Sequence, residues 1–155
     1  MREYIVASLI LFFVPSVQAQ TVPAGWQVVK DPKNICQIAV PADWKLYGST
    51  NSAAIFEDSS TAMAVVTSQP DQAYRALPET IVRVLNIPKD KMFENSTKRI
   101  FYQDKTSSGP QDSNSYSFSV PGKSGTCSGH LTFLPSITED VARKIALSLG
   151  PTPES

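Results

Sequence analysis

Asn114-Ser115-Tyr116-Ser117-Phe118-Ser119-Val120, then Pro121-Gly122-Lys123-Ser124-Gly125, then Thr126-Cys127-Ser128-Gly129-His130-Leu131-Thr132-Phe133-Leu134: this stretch decides the fold. In its first part Tyr116, Phe118 and Val120 alternate strictly with serines. In its last part Cys127, Leu131 and Phe133 share one side, with Ser128, His130 and Thr132 opposite. A period of two is the signature of extended chain, because successive side chains of a strand point to opposite faces. Pro and Gly between the two runs turn the chain. The stretch therefore predicts a long antiparallel hairpin with one packed and one wet face.

Toward the C-terminus the period changes. Ser136-Ile137-Thr138-Glu139 has the form of a capping box, with Ser136 as N-cap and Glu139 reaching back. Ile137, Val141, Ala142, Ile145 and Leu149 form an apolar stripe, and Arg143 and Lys144 lie where cations suit the helix dipole. Gly150-Pro151 then stops the helix, and 152–155 reads as a disordered tail.

Toward the N-terminus, Lys98 to Gln103 reads as a strand. Ala73, Leu77, Ile81, Val84 and Leu85 recur at helical spacing behind Asp71 as N-cap, ending at Asn86-Ile87-Pro88. Pro78 either kinks this central helix or begins it. Ala54–Glu57 and Met63–Thr67 form a hairpin about Asp58 to Ser60. Trp26–Val29 and Ile35–Val40 form another about Asp31-Pro32-Lys33-Asn34. Pro41 ends that strand, and Trp44 is expected to lie against the core. The predicted architecture is α+β: an antiparallel β-sheet packed by a central helix and a C-terminal helix, in one domain over 20–151.

The first residues add a compartment. An apolar run from Ile5 to Val14, then Pro15-Ser16-Val17-Gln18-Ala19, reads as a signal peptide over 1–19, cut after Ala19 to leave Gln20 first. An uncut membrane anchor is the alternative reading; with the leader removed, no stable membrane insertion is expected. The chain of 155 residues carries 14 Lys and Arg against 14 Asp and Glu, a neutral balance that argues against nucleic acid as an obligate partner. An extracytoplasmic place, periplasmic or secreted, fits the two cysteines. Cys36 and Cys127 both fall on apolar strand faces, and an oxidising compartment favours a disulfide between them. The alternative is two separate buried thiols.

Several motifs imitate chemistry. Gly125-Thr126-Cys127-Ser128-Gly129 has the spacing of a nucleophile elbow, but the chain runs on into strand and the one histidine, His130, follows in sequence. Pro121-Gly122-Lys123-Ser124 resembles the end of a phosphate loop, yet Ser117 stands where its first glycine belongs. Cys127-x-x-His130 is half a metal site at most, and His130 reads as a solvated residue of the wet face. Asp104 to Asp112 faintly resembles a calcium loop, with Ser115 in place of the closing Glu. Asn95-Ser96-Thr97 is a glycosylation sequon. None of these assigns a catalytic residue, a cofactor or a metal.

Val40-Pro41-Ala42-Asp43-Trp44, set between an N-terminal hairpin and further strands, a helix, a long hairpin and the helix from Ile137, resembles the PsbP/Mog1/DcrB-like superfamily. The match runs from Gly25 to Trp44 and, by order of elements, across most of the mature chain. The resemblance implies an antiparallel sheet with helices packed on it and a role as accessory, assembly or binding factor. It carries over no functional residue, and the expected disulfide departs from the family. The expected function is a non-catalytic exported module binding an unknown protein or small ligand outside the cytoplasm. The rival is a secreted hydrolase whose carboxylates, such as Asp43, Asp58 and Asp104, only the fold would bring together. A structural envelope component is a third possibility.

Overall fold

Ten strands are laid down in the computed structural model, which describes residues 22–58, 60–104 and 112–154. The expected signal segment over 1–19, Gln20 and the calcium-like loop between Asp104 and Asp112 lie outside the described residues. Strand β1 (Trp26–Lys30) and β2 (Cys36–Pro41) form the N-terminal hairpin. Then come β3 (Lys45–Ser49), β4 (Ala53–Asp58), β5 (Ala62–Gln69), helix α1 (Glu79–Val84), a 3-10 turn (Lys89–Lys91), β6 (Met92–Asn95) and β7 (Ile100–Asp104). The long hairpin is β8 (Asn114–Gly122) with β9 (Gly125–Phe133), followed by α2 (Glu139–Leu147) and the short β10 (Gly150–Pro151). One antiparallel sheet has seven strands in the order β3-β4-β5-β9-β8-β7-β6, and a second has three, β1-β2-β10.

The α+β expectation is overturned. Of the described residues 47% are in strands and 14% are helical, a β-rich fold of two antiparallel sheets. The difference lies mainly in the central helix. Only Glu79–Val84 is helical, behind Pro78, and none of its residues is buried. Ile81, Val84 and Leu85 are 42%, 79% and 47% exposed, so the apolar stripe covers no core. Residues 73–77 have no regular secondary structure instead, and Pro78 disfavours a helical residue just before it. The Asn95 side chain holds this segment by both ends of its amide: Oδ1 accepts from Leu77 N at 2.8 Å and Nδ2 donates to Leu77 O at 2.9 Å. The sequon asparagine is thus a backbone clamp.

The seven-stranded sheet has two unlike faces. Register places Tyr116 opposite Leu131, Phe118 opposite Gly129 and Val120 opposite Cys127, and continues this face through Ala64, Val66 and Phe56. Helix α2 and strand β2 lie against it, closing a core that includes Ile38, Val40, Trp44, Leu131, Phe133 and Ile145. Rings of Phe93, Phe101, Tyr116, Phe118 and Phe133 meet edge to face or tilted at 4.8–6.4 Å between centroids. Cys36 of β2 is joined to Cys127 of β9 by a disulfide, which ties the small sheet to the large one.

The elbow-like glycines have packing roles. Gly125 adopts φ +125°, and a Cβ there would run into the carbonyls of Gln69 and Pro70. A Cβ on Gly129 would strike the Phe118 ring that lies over it.

Helix α2 starts later than the capping box implies. Its N-cap is Thr138, whose Oγ1 accepts from Val141 N at 3.3 Å, and Glu139 pairs with Arg143 at 2.8 Å instead of reaching back to Ser136. Gly150-Pro151 does more than stop the helix, because it pairs with Gln37 and Cys36 of β2. The chain stays tied past Pro151: Thr152 is buried and its N–H donates to Ile35 O at 2.8 Å.

A buried carboxylate organises the first hairpin. Asp31, 3% exposed, accepts from Lys33 N (3.0 Å), Ile35 N (2.8 Å), Cys36 N (2.6 Å) and Ser68 Oγ (2.8 Å). It fixes the turn and fastens it to β5. Gln27 does similar service behind β2, where its Nε2 donates to Trp44 O at 2.6 Å and to the carbonyls of Pro41 and Ala42 at 3.3 Å. Trp44 is 3% exposed, in the core where its sequence position puts it.

Candidate functional site

The second face of the large sheet carries the polar residues. One row across it reads Tyr102, Ser117, His130, Val65, Ile55, and the next Asp104, Ser115, Thr132, Met63, Glu57. At the β9 start the segment after β5 is tied to this face, where Thr126 Oγ1 donates to Gln72 O at 2.8 Å. At the other end lies a cavity of about 340 Å³, lined by Glu57, Met63, Ser113, His130, Thr132 and Phe133 among others. That volume suits a small ligand. Met63, Ala62, Phe133 and Leu134 give it apolar walls, while His130, Thr132 and Ser113 present polar groups. The Ser113 hydroxyl is buried and has no hydrogen-bond partner among the described residues.

His130 is half-buried rather than solvated, and both ring nitrogens are engaged. Ser117 Oγ lies 3.2 Å from Nδ1 and Thr132 Oγ1 lies 3.3 Å from Nε2. Ser117 donates its single hydroxyl proton to Asp104 Oδ2 at 3.2 Å. Nδ1 must then be the donor to Ser117, which leaves Nε2 to accept from Thr132. Thr132 in turn meets Ser115 Oγ at 3.2 Å, and with its own proton on His130 it accepts there. The result is a one-way chain of hydrogen bonds, Ser115 to Thr132 to His130 to Ser117 to Asp104. Burial pushes the imidazole pKa down, and the Asp104 charge opposes that shift more weakly. The Tyr102 hydroxyl of the same row is held above its usual range by burial first, then by Asp104, against the pull of Ser117.

A serine, a histidine and an aspartate stand in line here, but in the wrong order for a hydrolytic triad. In a triad the imidazole stands between the other two and takes the serine proton. Here the serine is in the middle, and its proton is directed at the carboxylate. The three carboxylates of the rival reading are also kept apart. Asp43 is exposed in the turn after β2. Asp58 and Asp104 lie on β4 and β7 with β5, β9 and β8 between them, about 19 Å at the usual strand spacing. Asp58 is occupied by Thr61 Oγ1 at 2.7 Å. Among the described residues no group of three or more His, Cys, Asp or Glu stands together as a metal site, and no helix is long and apolar enough to cross a membrane.

Ser117 and the cavity wall escape a reading of single strands. The signal that finds Ser117 is the two-residue turn Lys123-Ser124, because pairing Gly122 with Gly125 sets Ser117 opposite His130.

No family model and no curated protein matches the chain. Among solved structures, a protein of Bacteroides thetaiotaomicron VPI-5482, crystallised and refined at 1.50 Å, is similar over 84% of this chain with a TM-score of 0.54 and 12% identity. The chain spans 50% of that protein's length. At this identity the likeness concerns the fold alone.

Proposed function

We propose that this is an exported, non-catalytic accessory module that holds a small, largely apolar ligand in the cavity beside His130. The observation that carries the reading is the imidazole held between Ser117 and Thr132 on the wall of a cavity of ligand size. Apolar walls beside a fixed imidazole select a ligand chiefly by shape, and the Ser113 hydroxyl, unpartnered among the described residues, offers it a hydrogen bond. The imidazole is poorly placed for proton transfer, since each nitrogen already has a partner. Export is supported by the apolar leader and by the Cys36–Cys127 disulfide, which persists in oxidising compartments. The resemblance to the PsbP/Mog1/DcrB-like superfamily favours an accessory role over chemistry. The separation of Asp43, Asp58 and Asp104 gives the carboxylate hydrolase no support.

The test is a library of small amphiphilic fragments observed through the Met63 methyl and His130 ring NMR signals. Hits should shift both signals, be recovered unchanged, and lose binding in Met63→Trp, which fills the cavity. A substrate turned over by wild type, with turnover abolished in folded His130→Ala, would overturn the reading.

A further inference from the structure

A second concavity, of about 1160 Å³, opens on the opposite end of the large sheet between its Lys123 turn, the end of α2 and the C-terminal segment. Its lining is unlike that of a neutral protein. Lys98, Arg99, Lys123 and Lys144 face it, with Glu154 as the single carboxylate. Lys144 is paired on its own helix with Asp140 at 2.7 Å, and Arg99 Nη2 donates to the Leu147 carbonyl at 3.1 Å, capping α2. Among the described residues no carboxylate lies within ion-pair distance of Lys98.

The remaining lysine is occupied by the chain's own tail. Strand β10 runs along β2, Thr152 N bonds to Ile35 O, and the tail then brings Glu154 to within 3.4 Å of Lys123. The Glu154 side chain is 89% exposed and the Lys123 side chain 42%, so the pair is solvent-screened and easily opened. Two polar groups of the lining lack partners among the described residues: Arg99 Nε and the hydroxyl of Thr152, a residue only 6% exposed. A groove with surplus cations, unsatisfied donors and a loosely seated carboxylate on an extended peptide has the chemistry of a site for acidic peptide.

We propose that this groove binds an extended acidic segment of a partner protein, and that Glu154 stands in for one of its carboxylates. The tail is then a competitor, displaced when a segment with several carboxylates arrives. Charge complementarity selects such a segment, and its backbone can lie where Pro153 and Glu154 lie. The site is separate from the cavity beside His130.

The experiment uses the mature chain and a fluorescein-labelled peptide of four consecutive glutamates flanked by glycines, read by anisotropy. The peptide should bind saturably at about 20 mM salt and lose about tenfold or more in affinity at about 300 mM, as screening shortens the reach of the lysines. Lys123→Glu with Lys98→Glu should weaken binding about tenfold or more at fixed salt, whereas Glu154→Gln should strengthen it several-fold. Lys45→Glu, at the far end of the sheet, should leave it unchanged. The proposal is overturned if the glutamine version of the peptide binds equally well, or if no saturable binding occurs at the lower salt. It is also overturned if Lys45→Glu weakens binding as much as the groove changes do. Displacement by inorganic phosphate more efficient than by free acidic peptide, at matched ionic strength, would make the groove a phosphate site and contradict the peptide reading.

Discussion

Truncating Asp31 to alanine removes one acceptor group and orphans four donors at once. Two of them, Cys36 N–H and Ser68 Oγ–H, are buried with it, while Lys33 N–H and Ile35 N–H can partly recover water. A buried donor left unsatisfied costs about 1–3 kcal/mol, so the buried pair alone gives about 2–6 kcal/mol. That is a large part of the stability of an ordinary domain, about 5–15 kcal/mol. Asp31→Asn separates geometry from charge. Its remaining oxygen can still serve Ile35 and Cys36, and the Ser68 hydroxyl can turn to accept, so only the Lys33 N–H faces a donor. Asparagine should therefore cost about 1–2 kcal/mol. Urea unfolding of the oxidised proteins measures both, with an unchanged slope expected because the surface exposed on unfolding is the same. An alanine variant within about 0.5 kcal/mol of wild type would refute the hydrogen-bond argument. An asparagine variant as damaged as alanine would show that the turn needs the charge itself.

Other outcomes follow from the same structure. Cys36→Ala with Cys127→Ala opens a loop with a sequence separation of 91, for which chain entropy allows a loss of about 4.6 kcal/mol at most; a loss under about 1 kcal/mol in urea unfolding would contradict it. Trp44→Ala should cost about 3–5 kcal/mol, and a variant of wild-type stability would remove Trp44 from the core. His130 has a depressed pKa in the folded state, so the unfolded chain binds its proton more readily. Its contribution to stability is present above the unfolded value and is lost as pH falls through the folded one. Melting temperature should therefore drop on acidification below about pH 6.5, and less so in His130→Gln; equal slopes for the two proteins would contradict the burial of the ring.

Where the sequence was legible, a single strong period wrote one element. Tyr116, Phe118 and Val120 against serines, and Cys127, Leu131 and Phe133 against Ser128, His130 and Thr132, are the two strands that centre the sheet. The last helix reads correctly through Ala142 and Ile145, and its start is misplaced only because Ser136 and Thr138 offer rival caps. The central helix misleads for a physical reason: its period is real, but periodicity implies burial only if a neighbour covers the stripe, and Ile81, Val84 and Leu85 are left in solvent. Strands β3 and β6 were illegible because they are short sheet edges, one of them carrying exposed Leu46 and Tyr47. The cavity depended on facts no local pattern holds. Ser117 and His130 meet through a hairpin register, and Met63 joins them only because β5 lies beside β9.

The most direct test of the binding account is native mass spectrometry of the protein isolated from its host without denaturation. The account predicts a chain beginning at Gln20 that carries one small non-covalent molecule, lost from Met63→Trp and retained by Lys123→Glu. A bare mass for wild type, or a molecule kept equally by Met63→Trp, would contradict it.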